Sequence, residues 1–212
     1  MKEGYWLFGT LLLFHLGRVI YAYYYKWQYK QADVEIADFN YEAYLNIREQ
    51  TFAVTPTDLG LVFPDDTETA FGIIMETHTG DAIESVAAFS TGEVWLYKSK
   101  NPRKYVLGEE NEGLKTAALA AIAAAQYHYA RMRRNNKDEF LPGHIKFHIL
   151  TNQDVYSAVD PINVIVNYSS EWEELFEMGF VIIDEWNKAT KGIPVKRVYP
   201  KFKIKRTRPA NL

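Results

Sequence analysis

"AFGIIMETHTGDAIESVAAFSTGEVWLYKS", residues 70–99, decides the fold. Three runs rich in apolar, β-branched and aromatic residues, 70–77, 83–89 and 93–99, are separated only by Thr79-Gly80-Asp81 and Thr91-Gly92. Glycine and aspartate at such junctions allow a tight reversal, so consecutive strands pair antiparallel. A parallel pair would need a crossover of a dozen or more residues. Val94 and Leu96 alternate with polar or aromatic neighbours, as a sheet with one packed face requires.

Working outward toward the C-terminus, "EGLKTAALAAIAAAQYHYARMRR" (112–134) predicts a helix. Glu109, Glu110 and Glu112 stand at its start and Arg131, Arg133 and Arg134 at its end, which complements the macrodipole. Seven alanines between Ala117 and Ala125 make a slim surface that can lie close on a sheet or on another helix. "HIKFHIL" (144–150), "DVYSAV" (154–159) and "NVIVNY" (163–168) read as further strands. Ser170-Glu171-Trp172-Glu173 has the form of a capping box. The helix it opens places Trp172, Leu175, Phe176, Gly179, Ile182, Ile183 and Trp186 at helical spacing and stops by Gly192.

On the N-terminal side, Asp38 can cap a helix running to about Phe52, with Phe39, Ala43, Leu45 and Ile47 available for burial. Pro56 and "FPDD" (63–66) then mark extended chain. The order helix-βββ-helix-ββ-helix predicts an α+β fold, an antiparallel sheet of about five strands with packed helices, preceded by one N-terminal hydrophobic helix. The divisions expected are an anchor over 1–31, a helix and linker over 32–68, the α+β domain over 69–190 and a basic tail over 191–212.

The anchor rests on "YWLFGTLLLFHLGRVIYAYYYKW" (5–27). Residues 5–25 contain nine of Leu, Ile, Val and Phe and a single charge, Arg18. As a helix they would span about 31 Å, the thickness of the hydrocarbon core. Trp6, Leu12, Phe14, Arg18, Ile20 and Tyr24 are the expected anchor residues, with aromatic belts at both ends. A buried helix or one lying along the interface are the alternatives, because Gly9, His15, Gly17 and Arg18 weaken insertion. Lys26 and Lys30 follow the span, so the positive-inside rule predicts a single-pass cell-membrane protein with its bulk on the cytoplasmic side.

The chain has 212 residues and no cysteine, which excludes a disulfide framework, thiolate metal sites and cysteine nucleophiles. Its net charge of −3 is uneven, because 191–212 carries eight basic residues and no acid, leaving −11 on the remainder. Lys196, Arg197, Lys201, Phe202, Lys203, Ile204, Lys205 and Arg206 form a candidate docking segment for an acidic protein surface or anionic lipid.

Chemistry is sparse. "KSKNPRKYVLGEE" (98–110) lies between strand and helix, where anions are often cradled. Pro102 lacks an amide proton, however, and Glu109, Glu110 and Glu112 repel an anion there. Arg103 and Lys104 are left as exposed loop contacts. His144 and His148, four apart on a strand, would be about 13 Å apart, too far to share a metal, and read as surface or half-buried histidines. His78 with Asp81 is a turn feature, Asp65 and Asp66 precede no calcium-loop pattern, and Ser85, Ser90 and Ser99 fall in no nucleophile elbow. No catalytic residue, cofactor or metal site is expected.

Residues 71–186 resemble an uncharacterised bacterial domain family of small hypothetical proteins. The stretches that carry the resemblance are "GIIMET" at Gly72, "VWLYKS" at Val94, "FHILTNQDVY" at Phe147 and "LFEMGFVII" at Leu175. They imply a shared framework and no activity, and the family's glycine-dense loop is replaced here by "KNPRKYVLGEENEG". The expectation is a non-catalytic, membrane-tethered protein-interaction module, a subunit or accessory of a membrane-associated complex. An immunity-type neutralising protein and a small-ligand-binding domain are the alternatives. Other protein subunits and membrane lipid are the expected partners; nucleic acid is not, and no small-molecule substrate is identified.

Overall fold

Seven strands hydrogen-bond into one sheet in the order β4-β3-β2-β1-β6-β7-β5, every pair antiparallel. The strands are β1 (Ala70–His78), β2 (Ile83–Phe89), β3 (Val94–Lys98), β4 (Tyr105–Leu107), β5 (Arg133–Arg134), β6 (His144–Thr151) and β7 (Val155–Pro161). Among the described residues four α-helices accompany them: α1 (Tyr41–Phe52), α2 (Glu112–His128), α3 (Ile162–Val166) and α4 (Glu173–Thr190). The computed structural model describes residues 41–79, 82–100, 102–108, 110–134 and 141–190. The chain divides into two compact units, Met1–Ala37 and Asp38–Leu212, and all that follows concerns the second.

The topology follows from short turns and one long crossover. Strands β1 to β4 form a meander, and α2 carries the chain across the sheet to the opposite edge, where β5 pairs with β7. Strand β6 then returns to the far side of β1, which makes β1 the central strand. The first turn of α2 is capped by Asn111, whose side chain accepts a hydrogen bond of 2.9 Å from the Leu114 amide. Helix α4 begins after Ser170, whose hydroxyl accepts from the Trp172 amide at 3.0 Å.

The period of two sends alternate side chains to two different layers. On one face Ile73, Met75, Val86, Phe147 and Ile149 pack with Leu114, Ala118, Ala121 and Ala125 of α2 and with Leu175, Ile182 and Trp186 of α4. The alanines let α2 lie close, and Gln126 ties it down by accepting from the Ala70 amide at 2.7 Å. On the other face Phe71, Ile74, Phe89, Trp95 and Leu150 meet Phe52 and, from the segment that follows α1, Val54, Leu59, Leu61 and Phe63. Tyr44 and Ile47 of α1 complete this layer over Ile83 and Tyr97.

The α+β class and the antiparallel sheet agree with the sequence expectation, but the sheet has seven strands rather than about five. Residues 163–168, expected as a strand, fall instead in the short helix α3 after Pro161 and in the turn that ends it. Helix α2 ends at His128 in a turn of 3₁₀ helix rather than running on to Arg134.

The single-pass membrane reading is corrected. Among the described residues no helix is long and apolar enough to cross a membrane. The longest, α4, is interrupted by Glu173, Glu174, Glu177, Asp184 and Glu185. The expected anchor residues Trp6, Leu12, Phe14, Arg18, Ile20 and Tyr24 lie outside the described residues, as do Lys196, Arg197, Lys201, Phe202, Lys203, Ile204, Lys205 and Arg206 of the tail. Membrane tethering, cytoplasmic placement of the bulk and a lipid partner are therefore not carried forward.

Candidate functional site

A strand buried on both faces has no place for an ion unless a partner meets it, and β1 carries Glu76 with no exposed surface. Register sets Glu76 opposite Ser85 of β2 and Lys146 of β6, and His148 opposite Ile74 and Ser157. Glu76, His148 and Ser157 thus converge diagonally across three neighbouring strands. The His148 Nε2 lies 2.9 Å from Glu76 Oε2, and its Nδ1 lies 2.7 Å from Ser157 Oγ.

Helix α1 closes the cluster from above. Arg48 donates from Nε to Glu76 Oε1 at 2.7 Å and from Nη2 to Oε2 at 2.9 Å, a bidentate fork. The Tyr44 hydroxyl donates to Glu76 Oε1 at 2.9 Å and sits 3.1 Å from Ser85 Oγ. Phe52 sets its ring edge-on to His148 at 4.7 Å between centroids, and the Arg48 guanidinium stacks on that same phenyl ring at 4.6 Å. Positions 44, 48 and 52 follow the i, i+4 spacing of one helix face, so a single surface of α1 supplies every upper contact.

Charge states follow from the partners. Burial opposes ionisation of Glu76, but the hydrogen bonds from His148 and Arg48 outweigh it and hold the carboxyl well below the usual carboxylate range. Burial pushes His148 below its ordinary value against the pull of Glu76, and the charges of Arg48 and Lys146 add to that push. The imidazole is therefore neutral. A carboxylate only accepts, so Nε2 carries the proton and Nδ1 accepts from the Ser157 hydroxyl. The resulting order is carboxylate, imidazole N–H, imidazole nitrogen, serine O–H. This is the polarity of a nucleophile–base–acid relay with the ring reversed. Burial, followed by the nearby negative charge of Glu76, raises Tyr44 far above the ordinary phenol value, so it remains a donor.

Access is what this cluster lacks. Glu76 is 0 %, His148 1 % and Ser157 2 % exposed. Strand β7 is paired on both sides at Ser157, with Arg133 and with His148, so its amides are committed to the ladder rather than turned toward an oxyanion. Among the described residues no group of three or more His, Asp or Glu is placed to hold a metal ion.

The residues singled out from the sequence fall elsewhere. Lys104, expected as an exposed loop contact, places its ammonium 3.5 Å from the centroid of the Trp95 ring, and burial lowers its pKa. Arg103, next to it in the loop, is half-buried. His148, expected as a surface or half-buried histidine, is instead at the centre of the polar cluster. His144 is at the start of the same strand, its Nδ1 3.0 Å from the Pro142 carbonyl oxygen.

The chain matches no protein-family model, no curated protein and no solved structure. The resemblance of residues 71–186 to an uncharacterised bacterial family is corrected accordingly. Its motifs are the local signatures of β1, β3, β6 with β7, and α4, which any sheet of this pattern would need.

Proposed function

We propose that this is a non-catalytic domain, one that acts through contact rather than turnover. The observation that carries this reading is the sealing of Glu76, His148 and Ser157 beneath α1. A nucleophile needs a substrate within about 3–3.5 Å of its reacting atom, and the space above Ser157 and His148 is filled by side chains. The same groups have a sufficient role as the seat of α1, because Arg48 and Tyr44 both end on Glu76. The cluster is thus a latch that gives α1 one position on the sheet, consistent with buried polar pairs that specify a unique arrangement.

The test is chemical labelling with a serine-directed fluorophosphonate, read by intact mass. No adduct is expected on the folded protein. An adduct on Ser157 that disappears in Ser157→Ala and in His148→Ala would mean that the relay is a working nucleophile, and would overturn the reading.

A further inference from the structure

One carboxylate serves two nitrogen groups that belong to different parts of the fold. Arg48 reaches Glu76 from α1 at 2.7 Å, and His148 reaches it from β6 at 2.9 Å. Arg48 is the more loosely housed, its side chain 29 % exposed against 2 % for His148. His148 is also fixed in the ladder, opposite Ile74 on one side and Ser157 on the other, whereas Arg48 rides on a helix. What α1 covers beyond the cluster is small, chiefly Ile83 and Tyr97. The segment after α1, which lies over Phe71, Ile74 and Phe89, is tied down separately at its far end. There the Asn152 side chain accepts from the Thr69 amide at 2.8 Å and donates to the Thr67 carbonyl at 3.0 Å. The helix can therefore leave without stripping the sheet.

The closed arrangement suits only a neutral imidazole. Around His148, β1 presents Glu76, β7 presents the uncharged Ser157, and α1 presents Arg48 with un-ionised Tyr44 on the same carboxylate. Strand β6 itself adds Lys146, buried two residues away on the same face. A proton arriving on His148 would find one carboxylate that already holds a guanidinium. Burial opposes that proton, and so do the charges of Arg48 and Lys146. Departure of α1 removes Arg48 and lifts the Phe52 ring off the imidazole in one movement. Glu76 keeps a cation throughout, exchanging guanidinium for imidazolium, and the Ser157 hydroxyl turns from donor to acceptor for Nδ1–H. We infer that α1 is a proton-released lid: charging His148 displaces Arg48 from Glu76 and frees α1, while the sheet and the layer of α2 and α4 stay folded. His148 binds its proton more readily once α1 has gone, so release is favoured as pH falls through the ordinary histidine value of about 6.5. The open state is no catalyst, because an imidazolium cannot take a proton from Ser157. The inference rests on reading the cluster as the latch of α1.

Hydrogen–deuterium exchange of the full chain, read by mass spectrometry of peptides and corrected for the intrinsic pH dependence of exchange, measures the opening of each helix separately. Between about pH 7.5 and about pH 5.5 the opening constant of α1 should rise by up to about tenfold per pH unit, the slope of one proton taken up on release. The turns of α2 over Ala117–Ala125, packed on the opposite face, should stay unchanged. In His148→Gln the opening of α1 should become independent of pH across the same window, which sets His148 apart from the other histidines. The contrast between α1 and α2 in the unaltered chain needs no variant, so the test stands even if His148→Gln does not fold. Parallel opening of α1 and α2 would mean global unfolding and would overturn the lid. So would an α1 that opens equally at every pH, or one that responds to pH as steeply in His148→Gln as in the unaltered chain. Any of these results leaves α1 latched and the non-catalytic reading standing, whereas fluorophosphonate labelling of Ser157 at neutral pH would remove that reading and leave the exchange result untouched.

Discussion

Glu76 and His148, 72 positions apart in the chain, share a buried hydrogen bond of 2.9 Å between the central strand and its neighbour. Neither could be buried alone. Glu76 requires donors for both oxygens, and it receives them from Arg48, Tyr44 and His148 together. The bond joins the two halves of the sheet beneath α1, so the position of that helix and the protonation of the interior are one problem. Predictions about either must therefore be made for the group as a unit.

Arg48→Met should be strongly destabilising, at about 3 kcal/mol, because it leaves the Glu76 carboxylate buried without its counter-charge. The double variant Arg48→Met/Glu76→Gln should lose less than the sum of the two single changes, with coupling of about 1–3 kcal/mol. Urea denaturation of the four proteins gives the cycle. Strict additivity would mean that Arg48 and Glu76 do not stabilise each other.

Acidification should weaken the fold from about pH 6.5 downward. His148 ordinarily titrates near 6.5, and its folded value is lower. Its contribution is therefore complete above that value and shrinks as pH falls, since the unfolded chain takes up the proton first. Glu76 ordinarily titrates near 4.5, and its folded value is also lower. It adds a second loss below that pH as the unfolded carboxylate protonates. His148→Gln keeps a donor for Glu76 and removes the first of the two. Denaturation midpoints measured between about pH 8 and pH 4 should fall less steeply through the upper half of that range in His148→Gln. Parallel curves for the two proteins would show that His148 does not titrate differently on folding.

The meander of β1 to β3 was legible because 70–99 combines strand composition with turns too short for anything but hairpins. Helix α2 was legible from its alanines and its charged ends. Strands β4 and β5, three and two residues long, carry no readable period, since two alternations are the least that a period of two can show. Helix α3 was misread because "INVIV" is β-branched, while Pro161 and the packing of Ile165 hold it helical. The buried cluster had one signal in the sequence, a glutamate inside the apolar run "AFGIIMET". What answers it lies on α1, β6 and β7, and only the register of the sheet brings those residues together.

Two buried tyrosines, both 1 % exposed, should respond oppositely to loss of the hydroxyl. Tyr44→Phe removes a donor to Glu76 and a contact with Ser85, at an expected cost of about 1–3 kcal/mol. The Tyr97 hydroxyl is buried and closes no well-formed hydrogen bond, Thr51 and Ser85 being the polar side chains that come near it. Tyr97→Phe should therefore be neutral or stabilising by up to about 1 kcal/mol, because the folded state no longer holds a desolvated polar atom. Thermal midpoints of the two variants decide this. A loss at Tyr97 equal to that at Tyr44 would reveal a partner for its hydroxyl.

Two glycines on the α2 and α4 side separate backbone strain from crowding. Gly92, in the β2–β3 turn, has φ of +89°, and a Cβ there would come within 2.6 Å of Lys115 Cγ. Gly92→Ala meets both obstacles, and the left-handed backbone alone costs about 1–2 kcal/mol. Gly179 lies within α4, and its only close neighbour would be Met75, with Sδ and Cε each 2.5 Å from an added Cβ. Methionine can give way, since its side chain is unbranched and a small internal void lined by Ile73, Val86 and Ile182 lies beside it. Alanine also gains about 1 kcal/mol of helix propensity over glycine. Gly179→Ala should consequently change stability by less than about 1 kcal/mol, the gain offsetting the displacement of Met75. Urea denaturation of both variants should rank Gly92→Ala as the more destabilised, and Met75→Val in the Gly179→Ala background should recover any residual loss. If Gly179→Ala proves the costlier change, α4 sits on β1 too tightly for Met75 to move.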